Sequence, residues 1–257
     1  NKIISDRMKH RILYAILMLF ALASCSKNKE EEAKNDEPNV EEVVFSRESG
    51  TYSNIALPYR KATIAPEQNI KSSLVLYLHG GSSKGADNTK QLGEKGIDSI
   101  SDYLVSHRIN SLFLVPQCPS DKSWGGIMNA ALKSLIDDYV ARGDADPGRI
   151  YIFGGSMGGS GTWGMVSAYP NLFAAAMPVA GNPSKCDAAN VAATPILTVM
   201  GTADEIMDID TVVDFCNLLV QSGNDNRLEI EEGWTHETTC IESYTTLRLD
   251  WIFSHHK

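Results

Sequence analysis

The chain is short of basic clusters, of closely spaced cysteines and of long apolar runs, and each shortage removes a class of function. Lysine and arginine number 23 against 32 acidic residues, a net charge of −9 with a sequence pI near 5.1. Phosphate binding needs Lys and Arg gathered together, and no segment supplies them, which argues against nucleic acid as a partner. A neutral or cationic substrate is easier to accept. Five cysteines occur, none in a CxxC or Cys/His spacing, so no zinc site, and no other metal or cofactor, is expected. The apolar run at residues 12–23 would rise about 18 Å as a helix, against roughly 30 Å of bilayer hydrocarbon, and does not read as a membrane span. Beyond residue 40 there are no repeats, low-complexity blocks or linkers, so one folded domain is expected there.

The N-terminal region reads as an export signal. Met8 followed by Lys9, His10 and Arg11 makes a natural start with a basic n-region, which leaves residues 1–7 as translated upstream sequence. The apolar run is then the signal core. It ends in Leu22-Ala23-Ser24-Cys25, which resembles the bacterial lipobox and implies cleavage before Cys25 and acylation of that residue. Ser26 stands where an aspartate would retain such a lipoprotein at the inner membrane, so outer-membrane anchoring through the lipid alone is expected. The acidic run Glu30-Glu31-Glu32 with Asp36 and Glu37 reads as a solvated tether. It also resembles the export signal of surface-displayed lipoproteins, which leaves both the periplasm-facing and the cell-surface side open. The resulting division is 1–25 for upstream residues and signal, 26–40 for tether and 41–257 for the catalytic domain. Cys118, Cys186, Cys216 and Cys240 lie in a compartment that permits disulfides, so they form up to two bridges or remain buried thiols.

Within the folded region Val43-Val44-Phe45 and residues 54–64 read as short β segments closed by Pro66, an antiparallel leading edge. Leu74-Val75-Leu76-Tyr77-Leu78 then breaks at His79-Gly80-Gly81, the pattern of a strand buried on both faces that stops at a loop. Further runs at 111–115, 149–153, 174–179, 195–200 and 227–231 are separated by stretches of helical spacing, and a last helix is expected over 241–253. Alternating β and α elements imply an α/β fold, a mostly parallel sheet of about eight strands with helices on both faces. The stretch between Val179 and Pro195 is too short for a large cap, which implies an open site able to take bulky or chain-end substrates.

The chemistry concentrates in Gly154-Gly155-Ser156-Met157-Gly158-Gly159, a G-x-S-x-G pattern between an expected strand and an expected helix. So tight a turn needs small flanking residues and forces the serine out over the sheet edge, at a helix N-terminus that favours negative charge. A serine hydroxyl needs a base, and this fold supplies acid and base later in the order Ser, Asp, His. Asp204 follows the strand ending at Met200 and His236 follows the next strand, so the two can converge on Ser156. Asp204 could instead cap the helix starting near Ile209, leaving Glu205 or Asp208 as the acid. Among other histidines, His107 ends a helix on the far side, His255 and His256 lie in a tail expected to fray, and His79 is suited to shaping its loop. The oxyanion needs two backbone donors; Met157 supplies one, and Gly81 or Ser82 the other.

Leu78-His79-Gly80-Gly81 with Asp87-Asn88, Val115-Pro116-Gln117-Cys118-Pro119 with Trp124, Arg149-Ile150-Tyr151 and Ser156-Met157-Gly158-Gly159 with Thr162-Trp163 resemble a group of secreted bacterial α/β-hydrolases. That group comprises predicted peptidases and phospholipase/carboxylesterase-like esterases, akin to polyhydroxybutyrate-depolymerase-like and feruloyl-esterase-like families. The resemblance runs from about Pro58 to Phe253. It implies the α/β-hydrolase fold, ester hydrolysis through an acyl-enzyme on Ser156, Asp204 and His236, and substrate contacts from Gln117 and Trp124. Gly155 departs from the bulkier residue common before the serine, and Thr238 replaces an aromatic-rich segment after the histidine. The expectation is a carboxylic ester hydrolase acting on acylated glycans or small esters at the cell envelope. A serine peptidase of short peptides and an inactive surface-binding lipoprotein are the alternatives.

Overall fold

Side-chain alternation along one strand builds two cores at once. Leu74, Leu76 and Leu78 of β3 (Ser72–Leu78) join one buried cluster with Leu132 and Trp163, while Val75 and Tyr77 join another with Ile97, Ile100 and Ile252. Each such side chain removed from water contributes about 1.5–3 kcal/mol, so a strand buried on both faces commits the chain to helices above and below it. The structure, a computed structural model, describes residues 42–223 and 225–257. The apolar run, Cys25 and the acidic tether lie outside the described residues.

The sheet runs β1-β2-β4-β3-β5-β6-β7-β8. β1 (Ser46–Tyr52) and β2 (Ile55–Ile64) form an antiparallel hairpin, and β2 pairs antiparallel with β4 (Ser111–Pro116). From β4 through β3, β5 (Ala145–Gly155), β6 (Ala175–Val179) and β7 (Ile196–Ala203) to β8 (Asn226–Thr235), every pairing is parallel. Helices α2 (Ile127–Ala141), α3 (Met157–Ala168) and α5 (Ile209–Gln221) cover one face. The other is covered by α1 (Lys95–Ser106), with α6 (His236–Glu242) and α7 (Thr246–Phe253). Between β6 and β7 there is only the single-turn α4 (Ala188–Val191) and loop, with no cap domain.

Three expectations need correction. Val43-Val44-Phe45 is not a strand; pairing starts at Ser46, opposite Lys61. Phe45 instead packs edge-on against Phe113 at 5.5 Å, so these apolar residues seat the chain on the core before the polar edge strand begins. The final helix is two helices, parted at Ser243 to Thr245. Arg248 reaches back to the Ser243 carbonyl at 3.2 Å and pairs with Glu229 at 2.7 Å and with Glu231, which satisfies the break with a buried cation. Finally, the C-terminal tail is tied down. Lys257 donates its amide to the Gly148 carbonyl at 3.0 Å and its Nζ to the carbonyls of Asn171 and Leu172, while the His255 ring packs on Trp251.

Candidate active site

The turn from β5 into α3 is held by close backbone contact. A Cβ on Gly158 would overlap the Leu78 carbonyl, and one on Gly159 would overlap the Val179 carbonyl, so the first turn of α3 sits directly against the ends of β3 and β6. Ser156 links strand to helix with φ 58° and ψ −120°, a conformation that costs a non-glycine residue energy and persists because its surroundings impose it. Its amide donates to the Val179 carbonyl at 3.0 Å. The hydroxyl is thereby turned outward, beyond the carboxyl ends of the parallel strands.

Two further strand ends deliver its partners. His236 opens α6 immediately after β8, where the Thr235 side chain accepts the Thr238 amide and caps the helix. Asp204 follows β7 in a turn closed by its amide on the Gly201 carbonyl at 3.2 Å. His236 Nε2 lies 2.8 Å from Ser156 Oγ, and His236 Nδ1 lies 2.8 Å from Asp204 Oδ2. The Asp204 side chain is fully buried and that of His236 is 12% exposed. A carboxylate taken out of water needs donors, and Asp204 has three: His236 on Oδ2, and the Ile206 and Met207 amides on Oδ1 at 2.9 and 2.8 Å. Since the carboxylate only accepts, Nδ1 carries the ring proton and Nε2 is left free to accept from the serine hydroxyl.

The alternative acids stand elsewhere. Asp208 caps α5, accepting from the Asp210 amide and the Thr211 hydroxyl, and the latter bond holds its carboxyl below the usual range. Glu205 is exposed to solvent. The capping role weighed for Asp204 therefore belongs to Asp208. His107 caps the C-terminus of α1 and stacks on Tyr103, away from the elbow.

After β3 the chain makes one 3-10 turn, Gly81–Ser83. It backs onto the elbow: a Cβ on Gly80 would lie 3.8 Å from the Gly155 carbonyl oxygen. Gly81 and Ser82 are exposed, and their amides, like that of Met157, belong to first turns, where N–H groups have no partner within the helix. His79 is wholly buried beneath this loop. Its Nε2 accepts the Cys118 amide at 2.9 Å, so Nδ1 donates to the Gly80 carbonyl at 2.6 Å. Burial holds its basicity below the ordinary imidazole value.

Gln117 and Trp124, expected to touch substrate, turn inward. Gln117 is fully buried; its Oε1 accepts the Asn88 amide at 2.6 Å and its Nε2 donates to the Ser83 carbonyl and to Asp87. Trp124 donates its indole N–H to the His79 carbonyl at 2.9 Å and packs edge-on against the His79 ring. Both shape the loop, because a buried amide or indole N–H must find a partner and the loop carbonyls are what lies in reach.

Among the described residues Cys118, Cys186, Cys216 and Cys240 are free thiols, with Cys118 and Cys216 buried. Cys240 lies behind the elbow: a Cβ on Gly155 would meet its Sγ at 3.3 Å. That explains the glycine before Ser156, since Cys240 occupies space a larger residue there would need. Burial pushes the Cys240 thiol up to about 12, which leaves it no second nucleophile near neutral pH. Glu94, which no sequence motif marks, also belongs to the site: its carboxylate accepts the Gly80 amide at 3.1 Å and the Ser83 hydroxyl at 2.7 Å. A lone exposed-looking acid at a helix start carries no signal of so distant a contact.

Residues 121–243, a span that holds Ser156, Asp204 and His236, match the dienelactone hydrolase family. The chain is 38% identical over 68 residues to poly(3-hydroxyalkanoate) depolymerase C of Paucimonas lemoignei, covering 26% of this chain and 16% of that protein. It is 37% identical over 62 residues to acetylxylan esterase A of Emericella nidulans, covering 24% and 20%. The chain thus spans a fifth or less of the length of these two curated relatives. Among solved structures a thermostable esterase superposes with a TM-score of 0.74 at 26% identity, covering 83% of this chain and 63% of that one. The fold, the strand-to-helix elbow and these esterase relatives agree, and the chain belongs to the α/β-hydrolase superfamily.

Proposed function

We propose that the protein is a carboxylic ester hydrolase that works through an acyl-enzyme on Ser156. One observation carries this reading: the unbroken relay from Ser156 Oγ through His236 to Asp204, with 2.8 Å at each step, at the mouth of a helix N-terminus. In the first half-reaction Ser156 Oγ attacks the acyl carbon and its proton passes to His236 Nε2. Asp204 stabilises the imidazolium without taking a proton. The charge on the former carbonyl oxygen is met by the Met157 amide and by that of Gly81 or Ser82. As the ester C–O bond breaks, His236 returns the proton to the departing alcohol. Water then repeats the sequence, releasing the acid and restoring the serine.

The names of the relatives, an esterase, an acetylxylan esterase and a polyester depolymerase, support ester over amide. The absence of a cap between β6 and β7 supports substrates presented on a larger body, such as acyl groups on glycans, alongside small esters. The lipobox-like Leu22-Ala23-Ser24-Cys25 supports action at the cell envelope, tethered by the N-terminal lipid. Turnover of p-nitrophenyl acetate and acetylated xylan should exceed that of matched peptide anilides by at least 100-fold; cleavage of the anilides alone would overturn the proposal.

A further inference from the structure

Glu94 stands at the N-cap of α1 with extended backbone (φ −77°, ψ 121°), a position where a side chain ordinarily accepts amides of its own helix. It makes no such bond. Its Oε1 instead leaves the helix to take the Gly80 amide at 3.1 Å and the Ser83 hydroxyl at 2.7 Å, bracketing the turn that carries Gly81 and Ser82. A Cβ on Gly80 would lie 3.5 and 3.8 Å from the two carboxylate oxygens and 3.8 Å from the Gly155 carbonyl, so the carboxylate, the loop backbone and the elbow are in mutual contact. The loop is fixed from its other side as well, by His79 on the Gly80 carbonyl and Gln117 on the Ser83 carbonyl. Those two residues hold carbonyls; Glu94 holds the amide and the hydroxyl.

This division matters for catalysis. An oxyanion donor is effective only when its N–H is aimed before the charge develops, and a displacement of about 1 Å costs on the order of 100-fold. Gly80 and Gly81 have no side chains to limit their rotation. One carboxylate oxygen of Glu94 holds both the Gly80 N–H and the Ser83 hydroxyl, so the two ends of the turn that carries the Gly81 and Ser82 amides are tied to a single anchor.

We propose that Glu94 is a positioning residue that pre-aims the second oxyanion donor, an inference that rests on the ester-hydrolase reading above. It touches neither the substrate nor Ser156; it acts through the loop. The test measures kcat and KM on p-nitrophenyl acetate for wild type, Glu94→Gln and Glu94→Ala, with Tm for each. Glu94→Gln keeps an acceptor of the same length and should stay within about threefold of wild type. Glu94→Ala should lose about 100-fold in kcat with KM changed less than about threefold. Such a kcat-specific loss, rescued by Gln, is not what general loosening of the fold produces. Should Glu94→Ala lose its cooperative unfolding transition, Glu94→Asp, one methylene short of Gly80, takes its place, with at least a tenfold loss of kcat expected. Wild-type kcat in the Ala or Asp variant, with the wild type itself active, overturns the role of Glu94 alone; an inactive wild type overturns the ester-hydrolase reading and this inference with it.

Discussion

The two ends of the same parallel strands differ sharply in what their polar groups do. At the N-terminal ends a groove of about 560 Å³ is lined by Lys61, Lys71, Ser72 and Asp144 among others. Several of its polar groups are taken up by residues around it: Ser72 donates to Asn110 at 2.6 Å, Tyr139 shares a hydrogen bond with Tyr59 at 3.1 Å, and Asp144 pairs with Arg142 at 3.3 Å. At the C-terminal ends three strands deliver Ser156, Asp204 and His236 to a single point, and two first turns leave amides without helical partners. The groups suited to chemistry converge beyond the carboxyl ends of the parallel strands, which is the rule for open α/β sheets.

The largest expected effect tests that contrast directly. Ser156→Ala or His236→Ala should lower turnover by about 10⁴-fold or more with Tm nearly unchanged, whereas Ser72→Ala, at the other end, should leave turnover within twofold. A mild loss for His236→Ala would break the comparison. Glycines sharpen it next. Gly158→Ala forces a Cβ into the Leu78 carbonyl and should cost about 4 kcal/mol or more, read from the denaturant midpoint. Gly143, at the groove, has φ +80° and open space around it, so Gly143→Ala should cost only about 1–2 kcal/mol of backbone strain. Equal costs would mean that the elbow is looser than its contacts indicate.

A smaller effect concerns pH. Because burial lowers the affinity of folded His79 for a proton, the unfolded chain binds more protons once pH falls below about 6.5. Stability attributable to His79 is thus present above that value and lost as pH falls through the window. Comparing denaturant midpoints at pH 7.5 and 5.0, the drop should be smaller in His79→Gln than in wild type. An identical drop would show that His79 does not contribute to the acid sensitivity.

Much of this was legible in the primary structure. Continuous apolar runs marked β3 to β7, since a doubly buried strand leaves no polar face, and the elbow glycines marked the turn because only they permit such close approach. The spacing of Asp204 and His236 after successive strands was readable for the same topological reason. Illegible were features decided by tertiary neighbours. Phe45 looked like strand but serves as a plug on Phe113. The final helix breaks where Arg248 finds Ser243 and the β8 glutamates, and His255 is pinned by Trp251. Gln117 and Trp124 bear groups suited to substrate contact, yet burial turns those groups onto loop carbonyls. Glu94 acts across the gap between two loops, a distance that no local pattern encodes.

In the proposed mechanism Ser156 is activated by His236 in the folded protein. Incubation with a fluorophosphonate followed by peptide mapping should place one adduct per chain on Ser156 and none on the His236→Ala variant under the same exposure. An unlabelled Ser156 in folded wild type, or an adduct carried by another residue, would contradict it.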